Sequence, residues 1–213
     1  MTFLRNIAFI FVIAFLFAGL TSGVNMALSN RILLNEQTRL SRQLLEVLDI
    51  PFSADSSPEL IRKIESQRIK SALIGQQEVY AGFSDTGVLE RYAFPVNGKG
   101  LWGSIQGFVA MDKDLSRLEG LVFTSHVETP GLGARIDENW FREQFRGLDL
   151  SKTATTDRYV SIGSVSREGV NRLDSITGAT ITSNAVEKML NRDIKTILSA
   201  KQKIRGIDWQ SLP

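Results

Sequence analysis

The stretch Asp174-Ser-Ile-Thr-Gly-Ala-Thr-Ile-Thr-Ser183 lies directly before a helical pattern and guides the interpretation of the whole chain. Gly178 and Ala179 have almost no side chain, so a bulky ligand can approach the backbone and the hydroxyl of Thr180. A helix that starts near Thr182 or Ser183 would direct unpaired N–H groups and its positive dipole end toward that hydroxyl, which suits a phosphate. A capped helix after a glycine turn explains the bare segment equally well.

Two further glycine-rich motifs lie upstream. His126-Val-Glu-Thr-Pro-Gly-Leu-Gly133 follows a predicted strand, and its Pro130-Gly131 pair suits a tight turn. The glycines on either side of Leu132 would let a flat ligand come close to the backbone. A strand-ending turn with an exposed leucine is the plainer interpretation. Gly98-Lys-Gly-Leu-Trp-Gly103 precedes both in the chain. In chain order, residues 98–103 are therefore the first motif, residues 126–133 the second, and residues 174–183 the third and last.

Taken in order, the three motifs resemble the FMN-binding subunits of the Nqr and Rnf ion-translocating respiratory complexes. Asp-x-x-Thr-Gly-Ala-Thr resembles the flavinylation sequence of that family, and Glu-Thr-Pro-Gly-Leu-Gly resembles its other signature. The resemblance covers roughly residues 90 to 190 together with one amino-terminal helix. Gly-x-Gly-Leu-Trp is similar to the Nqr C subunit, whereas His126 and the short region before the first strands are closer to the Rnf G subunit. The choice between the two complexes stays open.

The resemblance implies that Thr180 carries FMN through a phosphoester bond, installed by a dedicated flavin transferase. It also implies cofactor-binding roles for a set of nearby residues: Thr177, Gly178, Ala179, Asp174, Glu128, Thr129, Leu132, Gly133 and Trp102. Glu128, Thr129 and Leu132 should lie along the flavin ring. Trp102 should lie nearby, although a place in the core explains it equally well.

Three polar residues have roles that the resemblance only suggests. Thr177 should hydrogen-bond near the phosphate, with a plain turn hydroxyl as the alternative. Asp174 should take part in recognition by the flavin transferase, or it caps a local turn. Histidine is the side chain best suited to proton transfer near neutral pH, so His126 could give a proton to reduced flavin, but a histidine at a strand end is more often an ordinary hydrogen-bonded residue.

The composition excludes several classes of chemistry. The chain has 213 residues and no cysteine, which rules out disulfides, thiolate-ligated iron–sulfur clusters and cysteine catalysis within it. The single histidine cannot supply a multi-histidine metal site, so we expect no metal, and no Gly-x-Ser-x-Gly elbow supports a hydrolase. A net charge of +2 gives no indication of nucleic-acid binding.

Residues 6–28 contain no charged side chain and are long enough to cross a bilayer as one helix. A cleaved signal peptide is the alternative, but no clear Ala-x-Ala site follows the apolar run. Basic residues lie on both sides of it, so the positive-inside rule does not decide the orientation. The resemblance implies a single-pass protein of the cytoplasmic membrane, with its soluble domain on the extracytoplasmic side and other membrane subunits of the complex as partners.

The pattern of elements predicts an α+β domain with a mainly antiparallel sheet. We divide the chain into a transmembrane anchor (1–30), a helical connector (31–67) and a covalent FMN-binding domain (68–213). Residues 31–48 should extend the membrane helix, or form a separate amphipathic helix. The remaining predicted elements are a short helix after Ser57-Pro58, strands at 69–74, 79–83, 92–96, 107–111, 120–125 and 159–165, and helices at 138–145 and 183–200, with turns at Asp85-Thr86-Gly87 and Asn97-Gly98.

The sequence therefore predicts a membrane-anchored electron-transfer subunit, which is not a complete enzyme alone. A non-covalent flavin or nucleotide-binding module would use the same glycine turn without a covalent bond. A structural assembly subunit of a membrane complex would carry no flavin. A hydrolase with Thr180 as nucleophile would need a neighbouring base that the sequence does not identify.

Overall fold

The computed structural model describes residues 2–151, 158–163 and 170–212. The chain divides into two compact units, Met1–Arg39 and Leu40–Pro213. Helix α1 (Thr2–Val47) is continuous, which confirms that residues 31–48 extend the apolar helix rather than forming a separate one. Among the described residues, α1 is the one helix long and apolar enough to cross a membrane. Hydroxyls within it bond back to its own backbone, as Thr21 does to the carbonyl of Phe17 at 2.7 Å.

The last eight residues of α1, 40–47, belong to the second unit and are packed into it. Leu44, Leu45 and Leu48 are buried in one apolar cluster with Ile61 of helix α2 (Pro58–Arg68). Each buried leucine contributes about 1.5–3 kcal/mol relative to an exposed one. Of the apolar residues between positions 31 and 48, those near the carboxyl-terminal end are therefore buried, whereas Ile32 and Leu33 are exposed.

Helix α2 begins as the sequence predicts. The hydroxyl of Ser57 accepts a hydrogen bond from the N–H of Leu60 at 3.3 Å, and Pro58 occupies the first helical position. Its apolar residues do not all face the core, because Ile61 and Ile64 pack inward while Leu60 is exposed. With just 11 residues, this helix presents a single narrow face to the sheet.

A six-stranded antiparallel sheet forms the centre of the second unit, and its strands are hydrogen-bonded in sequence order. Its strands are β1 (Ile69–Ile74), β2 (Gln77–Phe83), β3 (Leu89–Lys99), β4 (Ser104–Asp112), β5 (Arg117–Ser125) and β6 (Leu148–Asp149). The five strand segments predicted between residues 69 and 125 are confirmed, and so is the α+β class. Alternation along the strands gives the sheet two apolar faces. Val109 faces the larger cluster and Ala110 faces the cluster built on α1 and α2.

The pair Asn97-Gly98, predicted as a turn, lies inside β3. Its residues pair with Gln106 and Ile105 of β4, and the reversal comes later, where the N–H of Gly100 bonds to the carbonyl of Gly103 at 2.7 Å. Glycine is needed at position 98 for packing rather than for a turn. A Cβ there would lie 2.9 Å from the Cβ of Met189.

The segment after β5 is less helical than its sequence suggests. A 3-10 turn covers Gly133–Asp137, and helix α3 spans only Asn139–Glu143 instead of the predicted 138–145. Phe141 and Phe145 are fully buried, whereas Trp140 is 40% exposed, so the three aromatic residues do not share one buried face. The rings of Trp140 and Phe141 pack edge to face, and the Arg135 guanidinium lies over the Trp140 ring.

Helix α4 (Thr180–Ser199) packs against β3 and is followed by the short helix α5 (Lys201–Arg205). It begins three residues earlier than predicted, so that Thr180 is its first residue. Strands β7 (Val160–Ile162) and β8 (Asn171–Leu173) form a separate parallel pair. The strand predicted for 159–165 is thus shorter, and its last two residues lie outside the described part of the chain.

Candidate functional site

Three segments that are distant in sequence meet at the carboxylate of Glu128. This side chain is buried, with 5% of its surface exposed. One carboxylate oxygen, Oε1, accepts hydrogen bonds from the backbone N–H groups of Leu101 at 2.8 Å and Trp102 at 3.3 Å. The other oxygen, Oε2, accepts the hydroxyl proton of Thr182 at 2.5 Å. The β3–β4 turn, the loop after β5 and the first turn of α4 are therefore joined through one residue.

Two glycines make room for this carboxylate. A Cβ at Gly100 would lie 2.4 Å from Oε1 of Glu128. A Cβ at Gly133 would lie 2.7 Å from Oε2 and 2.6 Å from the hydroxyl oxygen of Thr182. All three distances are far below van der Waals contact, so a side chain at Gly100 would have to displace the glutamate, and one at Gly133 would have to displace both the glutamate and Thr182. The glycines of the first and second motifs thus serve the same contact.

The second motif also makes contacts with the other two. The indole N–H of Trp102 donates to the hydroxyl of Thr129 at 3.0 Å, although 69% of the tryptophan surface is exposed. Leu132 approaches the last motif, because a Cβ on Gly178 would lie 3.2 Å from a methyl group of that leucine. Gly178 has φ +78, which a glycine adopts without strain. Trp102 is thus a surface residue and does not fill the core.

The turn that precedes α4 is held by a buried serine. The hydroxyl of Ser183, which is fully buried, accepts the backbone N–H of Ile176 at 3.2 Å. The N–H of Ala179 bonds to the carbonyl of Ile176 at 3.0 Å. These two bonds fix the turn through which Thr177 and Gly178 run, and both of those residues are exposed.

Thr180 stands at the amino terminus of α4 with its side chain exposed. The residue before it, Ala179, is the N-cap and has no side chain that could bond to the first-turn N–H groups. A helix that starts without a side-chain cap offers these N–H groups and its positive dipole end to an anion. The hydroxyl of Thr180 is therefore beside a place where a phosphate would be stabilised.

Apolar side chains are exposed around these loops. The exposed fractions are 45% for Leu101, 64% for Val127, 45% for Leu132 and 59% for Ile181. Together with Trp102, they belong to the β3–β4 turn, the loop after β5 and the first turn of α4. Apolar surface beside an anion site and an exposed hydroxyl fits a ligand with a flat ring at one end and a phosphate at the other.

Asp174 is held by a different contact. Its N–H donates to the side-chain oxygen of Gln144 at 2.6 Å, and the Gln144 amide donates back to the Asp174 carbonyl at 3.3 Å. The Asp174 side chain is exposed. These two bonds connect Asp174 to the segment after α3 rather than to the cluster around Glu128.

His126 has both ring nitrogens engaged within the protein. Its Nδ1 lies 3.3 Å from the N–H of Glu128, and its Nε2 lies 2.8 Å from a carboxylate oxygen of Asp137. A backbone N–H can only donate, so Nδ1 accepts and the Nε2 proton points to Asp137. In this arrangement the histidine supports the start of the second motif.

A buried polar network lies under the middle of α4. Glu187 is 6% exposed, accepts the N–H of Ile162 at 2.7 Å and forms an ion pair with Arg158. Asn191, one turn later, accepts the N–H groups of Tyr159 at 2.6 Å and Val160 at 3.1 Å. These bonds attach β7 to α4 and so support the segment that leads into the last motif.

A cavity of about 370 Å³ lies between the end of α1 and α3, away from the candidate site residues. Its charged lining residues pair with one another. Arg142 bonds to Glu46 at 2.7 Å, and Arg146 lies 3.5 Å from Asp49. Because these charges are already matched, the cavity is a poor site for a charged ligand of either sign.

The structure adds functional candidates that sequence reasoning missed. Thr182 and Ser183 stand in the quoted stretch, where they are predicted only to start a helix, and Gly100 and Gln144 carry no predicted role. Periodicity gives no sign of them, because their partners lie 7 to 54 positions away and the longest of these spacings separates Thr182 from Glu128. The sequence signal for Thr182 and Ser183 is that two hydroxyl residues stand at the predicted start of the helix.

Part of the chain matches the model of a known family. Residues 100–195 match the model of the FMN-binding domain family. The matched segment contains the second and third motifs, most of the first, and all of α4 except its last four residues.

Among curated proteins, the chain is similar to the C subunit of the Na(+)-translocating NADH-quinone reductase. It is 34% identical to the Yersinia pestis protein over 54% of this chain and 43% of that protein. It is 37% identical to the Pseudomonas aeruginosa protein over 49% of this chain and 42% of that protein. The homology is distant and covers about half of the chain. The chain spans less than half the length of these relatives.

Two crystal structures share the fold. The C subunit of the same type of reductase from Parabacteroides distasonis matches with a TM-score of 0.67 and 24% identity, over 85% of this chain and 98% of that one. The protein NqrC of Shewanella oneidensis matches with a TM-score of 0.66 and 20% identity, over 80% and 99% of the two chains. At these identities the likeness establishes the architecture.

Proposed function

We propose that this chain is a membrane-anchored electron-transfer subunit that carries FMN on Thr180 through a phosphoester bond. It would pass electrons within an ion-translocating oxidoreductase complex of Nqr or Rnf type. The observation that carries the proposal is the position of Thr180. Its exposed hydroxyl stands on the first residue of α4, beside N–H groups that no capping side chain satisfies.

The residues around Thr180 fit the parts of FMN. The first-turn N–H groups of α4 would hold the phosphate. Gly178 and Ala179 leave space beside it, and the exposed side chains of Leu101, Trp102 and Leu132 would cover the ring. When bound, FMN supplies reversible electron transfer, and the protein supplies orientation and electrostatics. Thr177 would bond near the phosphate, and Asp174 would be read by the flavin transferase.

The attachment step balances if the transferase uses a flavin dinucleotide as donor. The hydroxyl oxygen of Thr180 forms a bond to the phosphorus that bears riboflavin. The diphosphate P–O bond breaks, AMP leaves, and the hydroxyl proton passes to a base on the transferase or to water. No electrons are transferred in this step. The product equals the chain plus FMN less one water.

The partners of this protein would be the other membrane subunits of the complex and, during maturation, the flavin transferase. One membrane-spanning helix cannot form an ion pathway, so ion translocation would belong to those subunits. The soluble domain would stand on the extracytoplasmic side of the cytoplasmic membrane. The similarity to one component of a Na(+)-translocating reductase supports this assignment.

Intact-protein mass spectrometry tests the attachment. Expression with a matching flavin transferase should increase the mass by FMN less one water, and Thr180→Ala should abolish the gain. Thr196→Ala is the matched control. It removes an exposed threonine hydroxyl from the same helix, one that donates to the Arg192 carbonyl at 3.1 Å, and should leave the gain intact.

Two results would contradict the proposal. An unmodified wild-type chain after co-expression with an active transferase would remove its basis. A Thr180→Ala chain that still gains the full mass would show that FMN is bound to another residue. Flavin that is present in the native protein but released on denaturation would favour the non-covalent binding module, and a colourless protein would favour the structural assembly role.

A further inference from the structure

Glu128 belongs to the flavin-family motif, but its position in the fold gives it a task that the motif alone does not reveal. The carboxylate is buried, and both of its oxygens are already bonded to the protein. Its three donors come from two other segments, and the glycines at positions 100 and 133 leave it little freedom to move. A group enclosed in this way has no oxygen to offer a ligand without breaking a contact inside the protein.

We propose that Glu128 is a positioning residue that fixes the ring-covering loops to the helix that bears the flavin. The proposal rests on the proposed function for its flavin part. Leu101 and Trp102 are held to Oε1, Thr182 is held to Oε2, and Thr180 stands two residues before Thr182 on the same helix. The glutamate thus sets the distance between the apolar cover of the ring and its point of attachment.

The charge of Glu128 is satisfied by hydrogen bonds and not by an ion pair. No basic side chain pairs with it within residues 2–151, 158–163 and 170–212. Two N–H groups and one hydroxyl compensate the buried carboxylate instead, and such bonds to a charged acceptor are stronger than neutral ones. Removal of the carboxylate would leave the Leu101 and Trp102 N–H groups without their acceptor, and the β3–β4 turn would separate from α4.

Glutamine distinguishes geometry from charge. In Glu128→Gln the amide oxygen can still accept from Leu101 and Trp102, and the amide NH₂ can donate to the Thr182 hydroxyl oxygen. If Glu128 acts by position, glutamine should keep the loops together while Glu128→Ala releases them. If it acts through its charge on the flavin, Glu128→Gln should resemble Glu128→Ala in flavin fluorescence, but it should still protect the Leu101 and Trp102 amides from hydrogen exchange.

The first experiment needs no flavin. Hydrogen exchange is measured on the full-length chain in detergent, with Thr180→Ala as the common background. Adding Glu128→Ala should accelerate exchange of the Leu101 and Trp102 amides by about ten- to a hundredfold, and Glu128→Gln should restore most of the protection. Unchanged exchange in the alanine variant, or no restoration by glutamine, would overturn the proposal whether or not FMN is ever attached.

The second experiment uses the loaded protein. Glu128→Ala should still gain the mass of FMN less one water, but iodide should quench its flavin fluorescence more strongly than in the wild type.

Thr182→Val removes only the α4 side of the contact, so the flavin should become more accessible while Leu101 and Trp102 stay protected. Thr196→Val on the same helix is the control and should change neither signal. Equal quenching in wild type and Glu128→Ala would overturn the positioning role, whereas a failure of the wild type to gain mass would count against the flavin bond alone.

Discussion

Position 133 shows how far a single residue can be constrained by its neighbours. Two oxygen atoms, one from Glu128 and one from Thr182, occupy the space that a side chain would need. From the sequence, this glycine is expected to make room for a flat ligand. The structure shows that the room is taken by the protein's own carboxylate. The two uses are compatible, because the neighbouring Leu132 is exposed to solvent.

We expect Gly133→Ala to lower the free energy of unfolding by about 1–3 kcal/mol, because the added methyl group overpacks the site. Urea unfolding followed by circular dichroism measures this loss. The Leu101 and Trp102 amides should also lose protection from hydrogen exchange, since the methyl group displaces Glu128.

Gly131→Ala is the contrast for this variant. Gly131 has φ +75 but no atom within 4 Å of a Cβ, so its cost is backbone strain alone. It should leave the exchange of Leu101 and Trp102 unchanged. If Gly131→Ala and Gly133→Ala accelerated the exchange of these amides equally, the glycine at position 133 would not be needed for the Glu128 contact.

Residue roles were the part of the site least accessible from sequence. The three motifs define the candidate site, and the structure brings residues of all three together. The prediction that Glu128 lies along the ring stays a prediction, and the structure adds that both carboxylate oxygens are bonded inside the protein. The contact with Thr182 spans 54 positions, and no local pattern records a contact at that separation.

Among the elements, the end of α1 is held to the sheet by charge as well as by apolar packing. Asp49 follows the helix with φ +59, and its carboxylate lies 2.8 Å from the Arg91 guanidinium of β3. The hydrogen bond from Arg91 holds the pKa of Asp49 below its usual value of 3.8, and Arg146 adds to the effect. A carboxylate whose folded pKa is depressed stabilises the protein above its unfolded pKa, and this contribution disappears as the pH falls through the folded pKa.

We therefore expect Asp49→Asn to reduce stability at pH 7 and to have little effect once the pH lies below the depressed pKa of Asp49. The reduction should stay under about 1 kcal/mol, because the Asp49 side chain is 53% exposed and solvent screens the pair. Urea unfolding at both pH values measures the difference. Arg91→Gln should show the same trend, and a stability loss that is constant with pH would refute the ion-pair explanation.

Strands were predicted better than helix ends, for a physical reason. Alternating apolar side chains mark β1 to β5 directly in the sequence. The sequence predicts the start of α4 at residue 183, three residues too late, because the N-cap Ala179 has no capping side chain that a sequence rule could recognise. The pair Asn97-Gly98 looked like a turn because glycine serves both turns and close packing, and only the position of Met189 decides between them. The parallel pairing of β7 with β8 leaves no local signature either.

At the scale of the whole molecule, the proposed membrane location rests on the apolar helix α1. The side chains of the hydrophobic stretch in α1 are exposed to their surroundings, as a bilayer requires. We expect the mature chain to sediment with membranes, to resist an alkaline carbonate wash and to be extracted by mild detergent together with its partners. Intact mass should show that residues 6–28 are retained.

The contradicting result is a mature chain that begins after residue 28 and stays in the soluble fraction, as a cleaved signal peptide would give. Protease added to intact spheroplasts tests the orientation, because it should digest the soluble domain without lysis. A chain that lacks residues 1–39 is the matched control and should leave the membrane fraction.

The dependence of three segments on one carboxylate has a consequence for protein engineering. A chimera that receives only one of these segments from a relative would bring a piece fitted to another protein's dimensions. The segments around positions 100, 128 and 180 should be transplanted together, as a single cassette, if the recipient scaffold is to accept them.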